Sequence, residues 1–431
     1  MSSCSYYLFH FCFLFITSAC LAQTNFHPKT FFLAVKQDPS TLQYITEIHQ
    51  RTPLIPVKLA VHVGSENLWV DCETGFKSST YKPAHCDSRQ CNLARSTSCG
   101  DCKTENNKTR PGCNNNACYN TVSNPAMNST FYSGGEIAED VLTIQSINGS
   151  YTGFESRGPV VTVPKFIFSC SPSFLTQNLG KDVKGMIGFG QQSPVSFATQ
   201  LASTFRFSRQ FAICLSSSPL ENGIIFIGHR PYYFALGFDA SQDLFYTPII
   251  TQPRSEYYIQ VSSIRINGKT LSLNKTLLSL DENEEGGTRI STAVPYTELE
   301  PSIYSALSKA FISEMPKEVK TVSPVPPFKT CFNSSYIGIT SLGYNAPGIY
   351  FVLHNPNVYW TITGANSLLL VRQGVFCLAF VERKKATGQA IVIGGYQMQN
   401  NLVEFDLARR RIGFTNSLFF RQTMCSDQFY T

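Results

Sequence analysis

The stretch LAVHVGSENLWVDC, residues 59–72, decides the fold. Its turn sequence VHVGS (61–65) follows an apolar strand, and the apolar segment MIGFG (186–190) comes later in the chain. The second half repeats this order, with GGTRISTAVPYT at 286–297 and IVIGGYQ at 391–397. A strand-turn element followed by an apolar segment ending in glycine therefore occurs twice, which indicates two similar lobes.

Short runs of β-branched and aromatic residues, separated by Gly, Pro and Asn, predict an all-β protein. Such runs occupy residues 54–63, 165–169, 223–227, 257–266, 349–353 and 390–393. Helices are few. Pro301–Ser313 is predicted as a helix because Ile303, Leu307 and Phe311 share one face, and a second helix is predicted for Pro194–Ala202.

The chain of 431 residues is too long for a single ordinary core. With 15% charged and 13% aromatic residues, its composition is globular rather than disordered. We predict a signal peptide at 1–22, an N-terminal lobe at 23–240 that carries a Cys-rich insertion at 72–118, and a C-terminal lobe at 241–431.

The first 22 residues contain no Lys, Arg, Asp or Glu and include an apolar run, Leu8–Ile16. Small residues at Ala19 and Ala22 suit cleavage, so Gln23 is the expected mature start and the protein is expected to be secreted and extracellular. The alternative, a membrane anchor, is disfavoured because the run is short for a spanning helix, and we expect no stable membrane insertion.

Twelve cysteines lie outside the signal peptide, and an even number in a secreted chain predicts up to six disulfides without fixing their pairing. A zinc site is the alternative for the CxxC at Cys99 and Cys102, but the only nearby histidine is His85. We expect no metal or other cofactor. The disulfide candidates are Cys72, Cys86, Cys91, Cys99, Cys102, Cys113, Cys118, Cys170, Cys214, Cys331, Cys377 and Cys425.

Five Asn-X-Ser/Thr sequons are candidate glycosylation sites on exposed loops. They are Asn107, Asn128, Asn148, Asn274 and Asn333. The formal net charge is +6, and most of the excess lies within 372–421, which includes Arg409–Arg411. A solvated basic face explains this, and an acidic protein or a cell-wall polyanion is the alternative partner; a nucleic-acid partner is not expected for a secreted glycoprotein.

The repeated elements resemble the pepsin-like aspartic proteases, whose bilobal all-β fold brings one Asp-Thr/Ser-Gly turn from each lobe to a central cleft. The two aspartates share a proton and act on a water molecule, so both carboxyls are needed. Here the matching positions hold His62 and Ser291. A Ser–His pair could begin nucleophilic catalysis, but the sequence identifies no third, orienting group, so we predict that the protein is not an enzyme.

A closer resemblance covers nearly the whole mature chain. Motifs such as GMIGFGQQSPVSFATQLAS (185–203) and RISTAVPYTELEPSIYSAL (289–307) are similar to the plant group of extracellular dermal glycoproteins, xyloglucanase and xylanase inhibitors and basic 7S globulins. This resemblance implies inhibition of a microbial glycoside hydrolase. Such enzymes carry two carboxyl groups in a groove, and an arginine can pair with them.

In the resembling inhibitors, blocking residues lie on two loops of the C-terminal lobe. The segment before the last cysteine, NSLFFRQTMC (416–425), offers Arg421. The loop SSYIGITSLGYNAPG (334–348) contains neither Arg nor Lys and places Ser341 where some members have arginine. The resemblance thus implies Arg421 and Ser341 as the positions to examine. The alternatives are a storage, ligand-binding or signalling role, or residual aspartic endopeptidase activity, and the oligomeric state stays open.

Overall fold

The computed structural model describes residues 28–96, 98–102, 108–127, 132–148, 157–252, 255–384 and 388–428. The predicted signal peptide at 1–22, the expected start at Gln23 and the sequons at Asn107 and Asn128 lie outside the described residues. The side chains of the other three sequon asparagines, Asn148, Asn274 and Asn333, are exposed.

The described residues are mostly strands, as predicted. In the first part of the chain these are β1 Thr30–Gln37, β2 Tyr44–Gln50, β3 Ile55–His62, β4 Trp69–Asp71, β5 Lys82–Pro83, β6 Ser98–Gly100, β7 Ala117–Ser123, β8 Tyr132–Ile147, β9 Arg157–Ser171, β10 Val183–Gly188, β11 Gln210–Cys214, β12 Gly223–Gly228, β13 Tyr233–Phe234, β14 Phe238–Asp239 and β15 Phe245–Pro248.

The second part continues with shorter strands. These are β16 Tyr257–Ile259, β17 Ser263–Ile266, β18 Lys269–Thr270, β19 Thr288–Ile290, β20 Thr297–Leu299, β21 Thr321–Val322, β22 Cys331–Asn333, β23 Ile339–Thr340, β24 Gly343–Tyr344, β25 Ile349–Val352, β26 Tyr359–Ile362, β27 Leu368–Arg372, β28 Val375–Leu378, β29 Phe380–Glu382, β30 Ile391–Ile393, β31 Leu402–Asp406 and β32 Arg411–Phe414.

The α-helices of the described residues are α1 Arg89–Leu93, α2 Phe197–Phe205, α3 Pro301–Glu314, α4 Gly364–Ser367 and α5 Gly395–Met398. Helix α3 confirms the prediction; the Glu300 carboxylate caps it by accepting from the Ser302 and Ile303 N–H groups. Helix α2 begins three residues later than predicted because Ser196 is extended (φ −63°, ψ 152°) at the end of a turn closed on Ser193.

The predicted internal repeat is present as a structural repeat. In the first half, β10 runs parallel to β3 and antiparallel to β4. In the second half, β30 runs parallel to β19 and antiparallel to β20. The turns that follow β3 and β19 are therefore each supported from behind by an apolar strand, β10 or β30. In the first half, His62 pairs with Gly188. In the second half, the Ser291 N–H donates to the Ile393 carbonyl at 2.9 Å.

One large sheet joins the two ends of the chain. Its strand order is β15-β32-β31-β11-β12-β1-β2-β3-β10-β4-β9-β8-β7-β6, with β5 paired to β8. The C-terminal strands β31 and β32 thus extend the sheet of the first lobe, and β31 pairs with β11 over Gln210↔Asp406 to Cys214↔Leu402. The predicted lobe boundary at 240–241 falls in the 3-10 turn Ala240–Asp243 and remains a prediction.

The predicted strand 257–266 is interrupted in the structure. Strand β16 pairs with β19, whereas β17 pairs with β25 in another sheet. The chain changes sheets at Ser262, whose N–H bonds to the Val352 carbonyl at 2.7 Å. One run of strand-forming residues therefore contributes strands to two sheets, and its periodicity does not reveal the break.

All twelve predicted cysteines form disulfides, in six pairs. The pairs are Cys72–Cys170, Cys86–Cys99, Cys91–Cys118, Cys102–Cys113, Cys214–Cys425 and Cys331–Cys377. Three pairs lie wholly within the Cys-rich insertion, whose small buried cluster is shared with the main sheet at Ile137 and Ile167. Cys214–Cys425 connects β11 to the C-terminal segment, so it reinforces the same junction as the β11–β31 pairing.

No helix among the described residues is long and apolar enough to cross a membrane.

A buried ion pair lies at the junction of the sheet. Arg230 Nε donates to Glu404 Oε2 at 2.6 Å, and its Nη2 donates to Glu404 Oε1 and to the Tyr246 hydroxyl. The Glu404 side chain on β31 is 0% exposed, so its carboxylate has lost its hydration. The ion pair with the Arg230 guanidinium offsets that loss. Glu404 raises the pKa of Arg230, which stays charged.

We expect Arg230→Met to lower the free energy of unfolding by about 3–5 kcal/mol, because the Glu404 carboxylate would be buried without a partner. Urea unfolding of both proteins at neutral pH measures this. The double variant Arg230→Met/Glu404→Leu is the control, and it should recover most of the loss. A single variant as stable as the wild type would contradict the assigned role of the pair.

Candidate functional site

Two turns face each other at the interface of the lobes, as the repeat predicts. The first is His62–Gly64 after β3 and the second is Ser291–Ala293 after β19. The Thr292 hydroxyl joins them, since its Oγ1 donates to the Val61 carbonyl at 2.8 Å and accepts from the Val63 N–H at 3.2 Å. Val63 has no side-chain hydroxyl, so it cannot make the equivalent hydrogen bonds to the second turn.

His62 is buried at the first turn, with 6% of its surface exposed. Its Nε2 accepts or donates no hydrogen bond among the described groups and lies 3.8 Å from Glu256 Oε1. Burial lowers the pKa of the imidazole below its ordinary value; Glu256 opposes this change and Arg289 reinforces it. His62 is therefore neutral at neutral pH.

Ser291 is also buried, and its side-chain hydroxyl hydrogen-bonds within its own turn. Its Oγ accepts from the Ala293 N–H at 3.2 Å, and its own N–H is bound by Ile393. No hydrogen bond joins Ser291 to His62 in the described structure. His62 and Ser291 thus lie on the facing turns, but they do not form a nucleophile–base pair among the described contacts.

An ion pair that the sequence analysis missed occupies this region. Arg289 lies on β19, and Glu256 comes just before β16. Arg289 Nη1 donates to Glu256 Oε1 at 2.8 Å. The Glu256 carboxylate covers Gly64, where an added Cβ would lie 2.0 Å from Glu256 Oε2. A side chain at position 64 would therefore require the Glu256 carboxylate to move. The first turn therefore has beside it a carboxylate that is paired with a guanidinium, together with a neutral imidazole.

One of these residues could have been found from the sequence. Arg289 lies two positions before Ser291 at the end of a predicted strand, and such residues share a face. Glu256 carries no comparable local signal because it reaches the turn from another sheet.

Arg421 lies in the 3-10 turn Leu418–Arg421, far along the chain from the two facing turns. Its Nε donates to Asp243 Oδ2 at 2.5 Å and its Nη2 to Asp243 Oδ1 at 2.9 Å. The Asp243 carboxylate raises the pKa of Arg421, so the guanidinium is charged. The side chain is still 55% exposed, and sequence reasoning did not identify Asp243 as its partner.

Ser341 is exposed at the turn between β23 and β24. The turn is held by Thr340, whose Oγ1 donates to the Gly343 carbonyl at 2.9 Å and accepts from the Leu342 N–H. The structure shows no contact between Ser341 and Arg421, so the two implied positions are not joined into one described site.

No group of three or more His, Cys, Asp or Glu side chains suited to a metal ion occurs in the part of the chain that the structure describes.

Comparison with known protein families matches both halves of the chain. Residues 44–229 match the model described as xylanase inhibitor N-terminal, and residues 256–416 match xylanase inhibitor C-terminal. The chain belongs to the xylanase-inhibitor family. The first match ends and the second begins on either side of the Ala240–Asp243 turn, and Glu256 opens the second.

Curated relatives are similar over almost their full length. "Probable aspartic proteinase GIP2" of Nicotiana benthamiana is 43% identical over 100% of this chain and 99% of its own. "Gamma conglutin 1" of Prunus dulcis is 41% identical over 98% of this chain and 96% of its own.

Solved structures agree with the assignment. The crystal structure of edgp has a TM-score of 0.89 at 44% identity, covering 94% of this chain and 99% of that chain. The crystal structure of conglutin gamma from lupine seeds has a TM-score of 0.81 at 37% identity, covering 94% of this chain and 99% of that chain. The bilobal, pepsin-like architecture that the resemblance implies is thus confirmed.

The lowered pKa of His62 predicts a pH dependence of stability. Below a pH of about 6.5 the unfolded imidazole takes up a proton before the buried one does, so the free energy of unfolding falls as pH drops. We expect this contribution to have a slope of up to about 1.4 kcal/mol per pH unit and to disappear in His62→Gln.

Urea unfolding of both proteins at pH 5, 6, 7 and 8 measures the effect. Only the difference between the curves counts, because the other titrating groups are common to both. Parallel curves between pH 7 and 5 would show that His62 is not held neutral by burial.

Proposed function

We propose that this protein is a secreted, non-proteolytic inhibitor of microbial glycoside hydrolases that attack cell-wall glucans or xylans. The observation that carries the proposal is the match of both halves to the xylanase-inhibitor family, in a chain whose cleft lacks the carboxyl pair. Its target would be a hydrolase protein, and its place of action extracellular. The exposed asparagines Asn148, Asn274 and Asn333 are the described candidates for glycosylation.

The absence of proteolysis is proposed from the chemistry of the two turns. An aspartic protease needs two carboxyls that share one proton. His62 and Ser291 supply none, and the carboxylate of Glu256 is bound by Arg289 at 2.8 Å. A single carboxylate that already accepts from a guanidinium does not reproduce two carboxyls that share one proton. The similarity to a relative named as a probable aspartic proteinase therefore does not transfer that activity to this chain.

Arg421 is the residue proposed to enter the hydrolase groove. A guanidinium has five N–H donors, and Asp243 accepts from two of them. Three donors remain for a carboxylate of the enzyme while Asp243 holds the side chain in place. The intramolecular pair thus reduces the entropy lost when Arg421 binds, which favours affinity.

The surroundings of Arg421 suit an interface with another protein. Arg421 borders a cavity of about 650 Å³ whose walls include Phe245, Tyr359 and Phe420. Phe420, the neighbour of Arg421 in the chain, is 54% exposed and lines the same cavity. Aromatic residues and arginine are enriched at the centres of protein interfaces, where they contribute most of the binding energy.

A role like that of the seed globulins is the second candidate. It is favoured by the similarity to proteins named gamma conglutin and basic 7S globulin, the latter from Glycine max at 38% identity. Such a protein need not inhibit any hydrolase. The native mass and the inhibition assay together separate the two candidates.

We expect the purified protein to inhibit at least one member of a panel of fungal xyloglucanases, endoglucanases and xylanases. Arg421→Ala should weaken this inhibition by about 30-fold or more, as expected for truncating a central arginine. Asp243→Asn should weaken it less, since the guanidinium is retained but no longer held in place. Inhibition constants from initial rates at several inhibitor concentrations measure both effects.

Arg110→Ala is the matched control, because Arg110 is a similarly exposed arginine paired with Glu73 at 3.4 Å. It should leave inhibition unchanged. Inhibition that survives Arg421→Ala would keep the function and reject the site. No inhibition across the panel at micromolar concentration would reject the function and favour the globulin-like role.

A further inference from the structure

A small cavity lined by arginines lies outside the facing turns and outside the Arg421 surface. Its volume is about 230 Å³, and its walls include three exposed arginines from distant parts of the chain. Arg95 follows α1 in the Cys-rich insertion, Arg209 precedes β11, and Arg410 lies in the turn between β31 and β32. We call this space the three-arginine cavity.

The three guanidinium groups have no ion-pair partner among the described residues. No carboxylate occurs among the described residues that line the cavity. The two neighbours of Arg410 are different, since Arg409 and Arg411 both bind Asp406, at 3.2 and 3.1 Å. Within the cluster Arg409–Arg411, only Arg410 therefore remains available to a ligand.

Like charges gathered in a concave site repel one another and attract an anion, because the low-dielectric walls concentrate their field. Guanidinium groups are suited to carboxylates, sulfates and phosphates through forked hydrogen bonds. The charge alone thus points to an anionic ligand without fixing its class.

The other polar side chains that line the cavity indicate which class of anionic ligand it suits. Gln191 Nε2 donates to the Glu256 carbonyl and Gln192 Nε2 donates to the Gln252 carbonyl. Each amide nitrogen keeps a second N–H and each Oε1 can accept, so Gln191, Gln192 and Thr251 add both donors and acceptors to the cavity lining. Neutral polar groups of this kind beside the guanidinium groups match a ligand that carries hydroxyl groups as well as a negative charge.

We propose that the three-arginine cavity binds an acidic saccharide, with a sugar carboxylate on the guanidinium groups and ring hydroxyls donating to Gln191 and Gln192. A cavity of about 230 Å³ is large enough for one sugar ring. The ligand is a short segment of a carboxylated polysaccharide. This site is separate from the proposed inhibition of hydrolases.

Calorimetric titration of the full secreted chain with trigalacturonate tests the proposal. Saturable binding is expected, weakened by added salt and absent with neutral cellotriose. Arg410→Gln and Arg209→Gln should each weaken binding about tenfold, the loss expected for one charge-assisted hydrogen bond. The matched control is Arg409→Gln, which removes a neighbouring arginine already bound to Asp406 and should leave the affinity unchanged.

Each other outcome overturns the proposal in a defined way. Equal losses in Arg410→Gln and Arg409→Gln would indicate diffuse surface attraction instead of a site. Equal affinity for triglutamate would show that the cavity recognises negative charge and not a sugar. If trigalacturonate did not bind even at low salt, the proposed saccharide site would be rejected. Arg421→Ala should not change this binding, so failure here and failure of the inhibitor function are distinguishable.

Discussion

The pairing of β31 with β11 is the constraint on which the rest of the structure depends. Five consecutive residue pairs, from Gln210↔Asp406 to Cys214↔Leu402, attach the end of the chain to the sheet of the first lobe. Two carboxylates on β31, Glu404 and Asp406, are fully buried and are paired with arginines. Because this junction fixes one lobe against the other, the turns after β3 and β19 can meet across the cleft, where the Thr292 hydroxyl bridges them.

The two facing turns are supported in the same way but carry different side chains. Parallel β3–β10 and β19–β30 pairs support each turn from behind. The groups placed there are a neutral, buried His62 and a locally bonded Ser291. Glu256 lies over Gly64 and is bound by Arg289, so the space beside the first turn is filled by the protein's own ion pair. Function is then expected at the surface of the lobes, where charged and aromatic groups are exposed.

The sequence predicted what depends on short patterns and missed what depends on distant contacts. The repeated turn and apolar-glycine elements, helix α3 and the twelve bonded cysteines were all evident from local order or from parity. Disulfide pairing was not, because it joins positions as far apart as Cys214 and Cys425. Glu256, which reaches Gly64 from another sheet, and Asp243, which holds Arg421 from 178 positions away, were missed for the same reason.

The arginines of the basic C-terminal region show why net charge alone is a poor guide to function. Counted in the sequence, Arg409, Arg410 and Arg411 are equivalent. In the structure, Asp406 neutralises the first and third, and Arg411 also stacks on Tyr246 with its Cζ 3.8 Å from the ring centroid. These two stabilise the sheet junction, and only Arg410 is free to act on a ligand. A formal charge of +6 is therefore divided between groups that hold the fold together and the few that can recognise a partner, and only the contacts of each guanidinium tell them apart.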